Sequence, residues 1–203
     1  YAVGGFGFSP FPTSTDESGE HFAVVSGWSS VVPAGWEGGL PAMIAAQEKA
    51  RSDRYVELAR TLSHRPGGAL VIRGARLFVA ESATMQPGMT VVMTGDRISA
   101  VGKDGRVKIP AGATVIDANG KSLIPGLWDM HVHIGAGDDG LMHIAAGVTN
   151  ARDMGNDTIS VPALRRQFAD GSLIGPRLML AGLIGGSGPH QVPTGLLADD
   201  SAT

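Results

Sequence analysis

The alternation of strand-like and helix-like segments after residue 126 constrains the fold most. Runs rich in β-branched and apolar residues alternate with helix-like runs at intervals of roughly 20 to 30 residues. In chain order they are a strand at Leu127–Ile134, a helix at Leu141–Ala146, a strand at Val148–Asp153, a helix at Val161–Ala169 and a strand at Arg177–Ala181. This rhythm predicts an α/β fold built from βα units on a parallel sheet. About three units are visible, whereas a closed barrel of this type needs about eight.

The segment at residues 66–126 has a different pattern, with short β-rich runs separated by turn signals. Asn119-Gly120 predicts a two-residue hairpin turn between strands at 114–117 and 121–124. We expect a small β-sandwich unit here. Alone it would bury only a marginal core, so it is expected to need strands from elsewhere.

Residues 1–65 are predicted to form a loop-rich lead-in followed by a helix. Gly, Pro and scattered aromatic residues dominate the first forty positions, to which we assign no function. Pro41–Ser63 predicts a helix, because Pro suits a first helical position and Ala-rich sequence follows. No basic face accompanies its apolar residues, which favours a structural helix over a membrane anchor.

Composition excludes several classes of function. The 203 residues are 43% hydrophobic and 17% charged with a net charge of −3, which indicates a globular chain without a nucleic-acid footprint. No apolar run approaches the roughly 18 residues of a membrane span. The absence of Cys excludes disulfides, thiolate catalysis and Cys-ligated zinc. The compartment is left open, with a lean toward export.

The sharpest chemical feature is the segment at residues 129–133, Asp-Met-His-Val-His. Side chains on a strand alternate between faces, so Asp129, His131 and His133 share one face. The intervening apolar residues share the other face and suit packing against helices. Two imidazoles at this spacing can present neutral nitrogens to one divalent cation. A His-x-His pair alone is weak evidence, so two surface histidines on an edge strand remain an alternative.

The wider context of this pair resembles the amidohydrolase superfamily. Ser122–His133 resembles its "PG-hydrophobic-hydrophobic-D-x-H-x-H" signature, and Val91–Gly102 is similar to its "G-x-I-x-x-V-G" hairpin. Ala146–Gly155 resembles the "G-V-T-T-x-R-D-x-G" second strand, with Asn150 where Thr is usual. That form is common in the branch of prolidase-like and imidazolonepropionase-like hydrolases.

The resemblance implies a (β/α)8 TIM-type barrel flanked by a β-sandwich. The chain then divides into a lead-in plus helix at 1–65, the sandwich unit at 66–126 and the start of the barrel at 127–203. The resemblance also implies one or two divalent metals, commonly zinc, and hydrolysis of an amide or peptide-like C–N bond by metal-activated water. His131 and His133 match the first-strand metal ligands, and Asp129 is expected to support their orientation.

The resemblance leaves the catalytic residues unassigned. The family's lysine ligand, two later histidines and catalytic aspartate would follow Thr203, and both ends of the chain resemble cuts. We therefore expect this chain to be an incomplete portion that is inactive alone.

Three residues near the expected active-site face are candidates for contact with substrate. Arg152 and Asp153 end the second strand, with a structural salt bridge or turn cap as the alternative role. His190 lies in a Gly- and Pro-rich loop, with a solvated loop histidine as the alternative. His143, inside a short helix, is expected to be structural.

Two other interpretations remain open. One is a non-catalytic barrel fragment or assembly module with a vestigial His pair, and the other places residues 1–65 in a separate upstream domain. The expected partner is a small-molecule or peptide-like substrate whose identity the sequence does not determine. A homo-oligomer is left open.

Overall fold

The computed structural model describes most of the chain and divides it into two compact units. The described residues are 2–3, 10–26, 29–158, 160–189 and 195–199. One unit comprises Tyr1–Ser63 with Leu127–Thr203, and the other is His64–Gly126. His190, a candidate for substrate contact, lies outside the described residues.

The strands and helices have the following bounds. The strands are β1 Ala2–Val3, β2 Phe11–Pro12, β3 Ser14–Thr15, β4 His21–Ala23, β5 Leu70–Val79, β6 Thr84–Thr94, β7 Arg97–Lys103, β8 Thr114–Asp117, β9 Ser122–Leu123, β10 Leu127–Val132, β11 Val148–Asp153, β12 Arg177–Leu180, β13 Ile184–Gly185 and β14 Leu196–Leu197. The helices are α1 Leu40–Leu62, α2 Gly137–Ala145 and α3 Ser160–Asp170, with a 3-10 turn at Glu37–Gly39. No helix among these described residues is long and apolar enough to cross a bilayer.

The unit that contains β10 is built around a three-stranded parallel sheet in the order β10-β11-β12. Helix α2 connects the first two strands and α3 connects the second two, which confirms the predicted α/β rhythm. Gly147, at φ +82°, follows α2 and donates its N–H to Ile144 O at 3.0 Å. Gly171, at φ +78°, directly follows α3 and also takes a left-handed backbone, which glycine adopts without a Cβ clash.

Helix α2 begins about one turn earlier than the sequence predicts. Its first turn is stabilised by Asp139, whose Oδ2 accepts the N–H groups of Gly135 at 2.8 Å and Ala136 at 3.3 Å. A carboxylate near a helix start satisfies backbone donors that have no partner inside the helix. The apolar periodicity starts only at Leu141, which is why the sequence pattern missed this turn.

The core of this unit lies between the parallel sheet and α3. Val132, the last residue of β10, and Ile134, two residues later, are 7% and 1% exposed. They pack with Ala151 and Leu178 of the neighbouring strands and with Phe168 of α3. Met130, one of the apolar residues between the His pair and Asp129 that were predicted to face the helices, is instead half-exposed and lies outside this cluster.

Helix α1 belongs to the same unit. The Tyr55 side chain packs against the core, and Gln47, only 8% exposed, donates its side-chain N–H to Val25 O at 2.6 Å. Burying an amide without such a partner would cost free energy, so this bond ties α1 to the lead-in. The predicted helix at Pro41–Ser63 is confirmed within one residue at each end.

The His64–Gly126 unit is a mixed sheet in the order β7-β6-β5-β8, with β9 also paired to β5. Strands β8 and β9 both run parallel to β5, so the hairpin predicted between them is wrong. A turn does form at Asn119-Gly120, where Lys121 N–H donates to Ala118 O at 2.9 Å. After it the chain resumes its former direction, because both short strands pair with successive segments of β5.

One side of this sheet buries Ala69, Val71 and Val92 against Val107 and Ala113. The described residues of this unit contain a single sheet and no second layer. An apolar groove of about 610 Å³ is lined by residues such as Ile72, Val91 and Ile98, and no described strand of this unit covers it. The sandwich is therefore still a prediction.

Candidate metal centre

His131 and His133 lie side by side at the end of β10. Their ring centroids are 5.3 Å apart and the ring planes meet at 74°. Both side chains are exposed, whereas Val132 between them is buried. The extended backbone thus places both imidazoles on the same side of the strand, as its alternation predicts.

A hydrogen bond fixes the orientation of the His133 ring. Its Nδ1 lies 2.7 Å from Gly155 O, in the loop after β11. A carbonyl oxygen can only accept, so Nδ1 carries the proton of the neutral ring. The lone pair is then on Nε2, the form in which imidazole donates to a metal ion.

Asp129 reaches the His pair through the backbone. Its Oδ1 accepts the His131 N–H at 3.1 Å, and its Oδ2 lies 3.9 Å from His143 Nε2. The ring of His143 is oriented by its Nδ1, which donates to Asp139 O at 2.6 Å. Between Asp129 and either imidazole of the pair, the described residues show no side-chain hydrogen bond. Any support that Asp129 gives to the pair therefore passes through the His131 amide.

Arg152 and Asp153, at the end of β11, both bond to β10 or to the residues that follow it. Arg152 Nε donates to Met130 O at 3.0 Å. Asp153 is 2% exposed, and its Oδ2 accepts the Ile134 N–H at 2.9 Å. These contacts favour the structural alternative considered for both residues.

Sequence reasoning missed two residues of this region, Gly155 and Asn156. The Asn156 side-chain N–H donates to Ile134 O at 2.7 Å and to Asp153 Oδ2 at 3.2 Å. An Asp-x-Gly-Asn run directly after a strand is typical of a tight, hydrogen-bonded loop, and that signal could have indicated them. Nothing local in the sequence indicated that the loop bonds to His133.

The residues present fit a divalent metal in part. Within the described ranges, no three His, Asp or Glu side chains lie close enough together to hold an ion. The His131–His133 pair supplies two nitrogen donors, whereas a catalytic zinc site uses about three protein ligands. The pair therefore suits part of a metal site.

Comparison with known protein sequences finds two kinds of related enzyme, adenine deaminases and an imidazolonepropionase. No family model matches the chain. It is 36% identical over 84 residues to an adenine deaminase of Paracoccus denitrificans (strain Pd 1222), which covers 41% of this chain and 14% of that enzyme. It is 38% identical over 77 residues to an imidazolonepropionase of Anaeromyxobacter dehalogenans (strain 2CP-C), covering 34% of this chain and 18% of that enzyme.

Solved structures give the same grouping. A Bifidobacterium longum protein assigned as a prolidase matches with a TM-score of 0.59 and 27% identity, over 68% of this chain and 36% of that one. A Xaa-Pro dipeptidase with methionine bound in its active site matches with a TM-score of 0.55 and 26% identity, over 62% of this chain and 36% of that one. The resemblance to the amidohydrolase superfamily found in the sequence is confirmed by these relatives, and the matches span about a third or less of their length.

Proposed function

We propose that this chain is part of a metal-dependent hydrolase that cleaves an amide or peptide-like C–N bond. The observation that carries the proposal is the His131–His133 pair, whose rings lie together with His133 Nε2 left as a lone-pair donor. The relatives support the reaction class, since a deaminase and a dipeptidase both break bonds between carbon and nitrogen.

In this proposal the chain's own residues hold and orient the metal ligands. His131 and His133 provide nitrogen donors, for which zinc is a suitable ion. When bound, a divalent ion would supply an acidified water and polarise the scissile carbonyl. Asp129 keeps the His131 backbone in place through the bond to its N–H. Arg152, Asp153 and His190 remain candidates for contact with substrate.

In this proposal the parallel sheet is the beginning of a (β/α)8 barrel. Three parallel strands in sequential order, joined by helices, are what the first units of a (β/α)8 barrel require. The His pair follows the carboxyl end of the first of them, which is the end where barrel enzymes place their active sites. The β unit at residues 66–126 would then form one layer of the flanking sandwich.

Zinc titration of the chain tests the proposed site. We expect weak binding, monitored by calorimetry, and a loss of about tenfold or more in affinity for His131→Ala or His133→Ala. His64→Ala is the matched control, because His64 is an exposed histidine in the other unit. Equal zinc affinity in the unsubstituted chain and both site variants would contradict the proposal and favour the vestigial pair of a non-catalytic module.

A further inference from the structure

A hydrogen-bond network centred on the buried Asp153 carboxylate joins the end of β10 to the loop after β11. The Asp153 carboxylate accepts the Ile134 N–H at 2.9 Å, the Gly155 N–H at 3.1 Å and the Asn156 side-chain N–H at 3.2 Å. The Asn156 side chain also donates to Ile134 O at 2.7 Å. Because Asp153 is only 2% exposed, each of these bonds compensates for the removal of its carboxylate from water.

The network anchors the chain on both sides of one carbonyl group. Gly155 is held through its N–H and Asn156 through its side chain, and the peptide between them carries Gly155 O. Gly155 has φ +146°, a conformation that suits glycine, and a Cβ there would lie 3.1 Å from Leu183 Cδ1. The position and direction of this carbonyl are thus fixed by residues on either side of it.

The fixed carbonyl is the partner of His133 Nδ1, at 2.7 Å. Which nitrogen of a neutral imidazole carries the proton is set by the hydrogen bond that the ring makes. An immobile acceptor at Nδ1 selects the Nδ1–H tautomer and leaves Nε2 as the donor atom. The carboxylate of Asp153 never touches the ring, so it acts on His133 only through the loop.

We propose that Asp153 and Asn156 are positioning residues for His133. Through the Gly155 carbonyl they hold its ring in one orientation and one tautomer, with Nε2 presented for coordination. This inference rests on the proposed function only in assigning that nitrogen to a metal ion, since the network is a property of the chain itself. It replaces the substrate contact considered for Asp153 with a role that uses its carboxylate inside the protein.

Nitrogen NMR of the full 203-residue chain tests the proposal without a metal. In histidine-labelled protein at alkaline pH, where imidazole is neutral, long-range proton–nitrogen correlations distinguish a protonated from an unprotonated ring nitrogen. His133→Gln identifies the His133 signals by their loss. We expect a protonated Nδ1 and an unprotonated Nε2 in the unsubstituted chain.

The variants separate the network from general damage to the sheet. Asp153→Asn and Asn156→Ala are expected to shift His133 toward the Nε2–H form. Arg152→Met is the matched control, because it removes another hydrogen bond between β11 and β10, to Met130 O, without altering the loop. A His133 that is Nε2–H in the unsubstituted chain, or that stays Nδ1–H in both variants, overturns the proposal. If Asp153→Asn fails to fold, Asn156→Ala alone still tests whether the loop sets the tautomer.

Adding Zn²⁺ to the same samples distinguishes this inference from the proposed function. With both correct, Zn²⁺ shifts the His133 Nε2 signal, and Asp153→Asn weakens the zinc affinity by about 10- to 100-fold. An Nδ1–H tautomer that depends on Asp153 but ignores Zn²⁺ supports the network and overturns the metal site. Zinc binding with a tautomer that ignores both substitutions overturns the network and leaves the metal site intact.

Discussion

At the scale of single residues, Tyr55 connects α1 to the start of α2. Its ring lies against the backbone of Gly137, where a Cβ would come within 2.7 Å of Tyr55 Cδ2. Burial of the phenol, and then its hydrogen bond to the Asp138 carboxylate, raise the Tyr55 pKa to about 12. The neutral phenol is therefore the form that the folded chain stabilises.

The raised Tyr55 pKa predicts a loss of stability at high pH. Because the folded-state pKa lies above the ordinary value of about 10, the contribution of Tyr55 is complete below about pH 10. It is lost as the pH rises toward the folded-state value of about 12. Urea unfolding across this range should show a steeper fall in the free energy of unfolding for the unsubstituted chain than for Tyr55→Phe.

Asp138→Asn provides the control for this prediction. It should lower the Tyr55 pKa only part of the way, because burial is the larger cause of the shift. Identical pH dependence of unfolding in the unsubstituted chain and Tyr55→Phe would show that the Tyr55 pKa is not raised in the folded chain.

At the scale of elements, two glycines leave room for the Phe168 side chain of α3: Gly140 in α2 and Gly175 just before β12. A Cβ at Gly175 would lie 2.5 Å from the Phe168 ring, and a Cβ at Gly140 would meet both that ring and Ile174 O. Since Phe168 is itself part of the core, the ring cannot move away without disturbing the packing of α3 on the sheet.

Gly140→Ala should therefore destabilise the chain. Overpacking in a filled core costs about 1–3 kcal/mol, which outweighs the better helix propensity of Ala. Thermal or urea unfolding measures the loss. Gly185→Ala is the control, since a Cβ there meets nothing within 4 Å. Equal stability of the two variants would show that Phe168 packs less tightly against Gly140 than the structure indicates.

At the scale of the whole molecule, the described residues bring two imidazole donors together at β10, whereas the proposed hydrolysis requires a complete metal site. We predict that the 203 residues alone, with zinc added, do not hydrolyse dipeptide or aminopurine substrates, because two protein ligands hold and activate an ion poorly. Product release measured by chromatography tests this expectation. Turnover that His131→Ala abolishes would contradict it.

The sequence by itself determined the local features of this protein. Strand and helix alternation after residue 126, the helix at Pro41–Ser63 and the shared side of His131 and His133 all follow from periodicity and termination signals within a few residues. Such signals depend on backbone geometry, so they hold wherever the segment lies in the fold. The resemblance to amidohydrolases was carried by these same local motifs.

Only the tertiary structure decided which distant groups meet. The Asn119-Gly120 turn forms as its sequence predicts, but pairing with β5 sends the following strand forward instead of back. His133 finds its hydrogen-bond acceptor at Gly155, and Asp153 turns its carboxylate inward to Ile134. These partners lie about twenty residues apart in sequence, so their proximity depends on the register in which β10 pairs with β11, which no local pattern specifies.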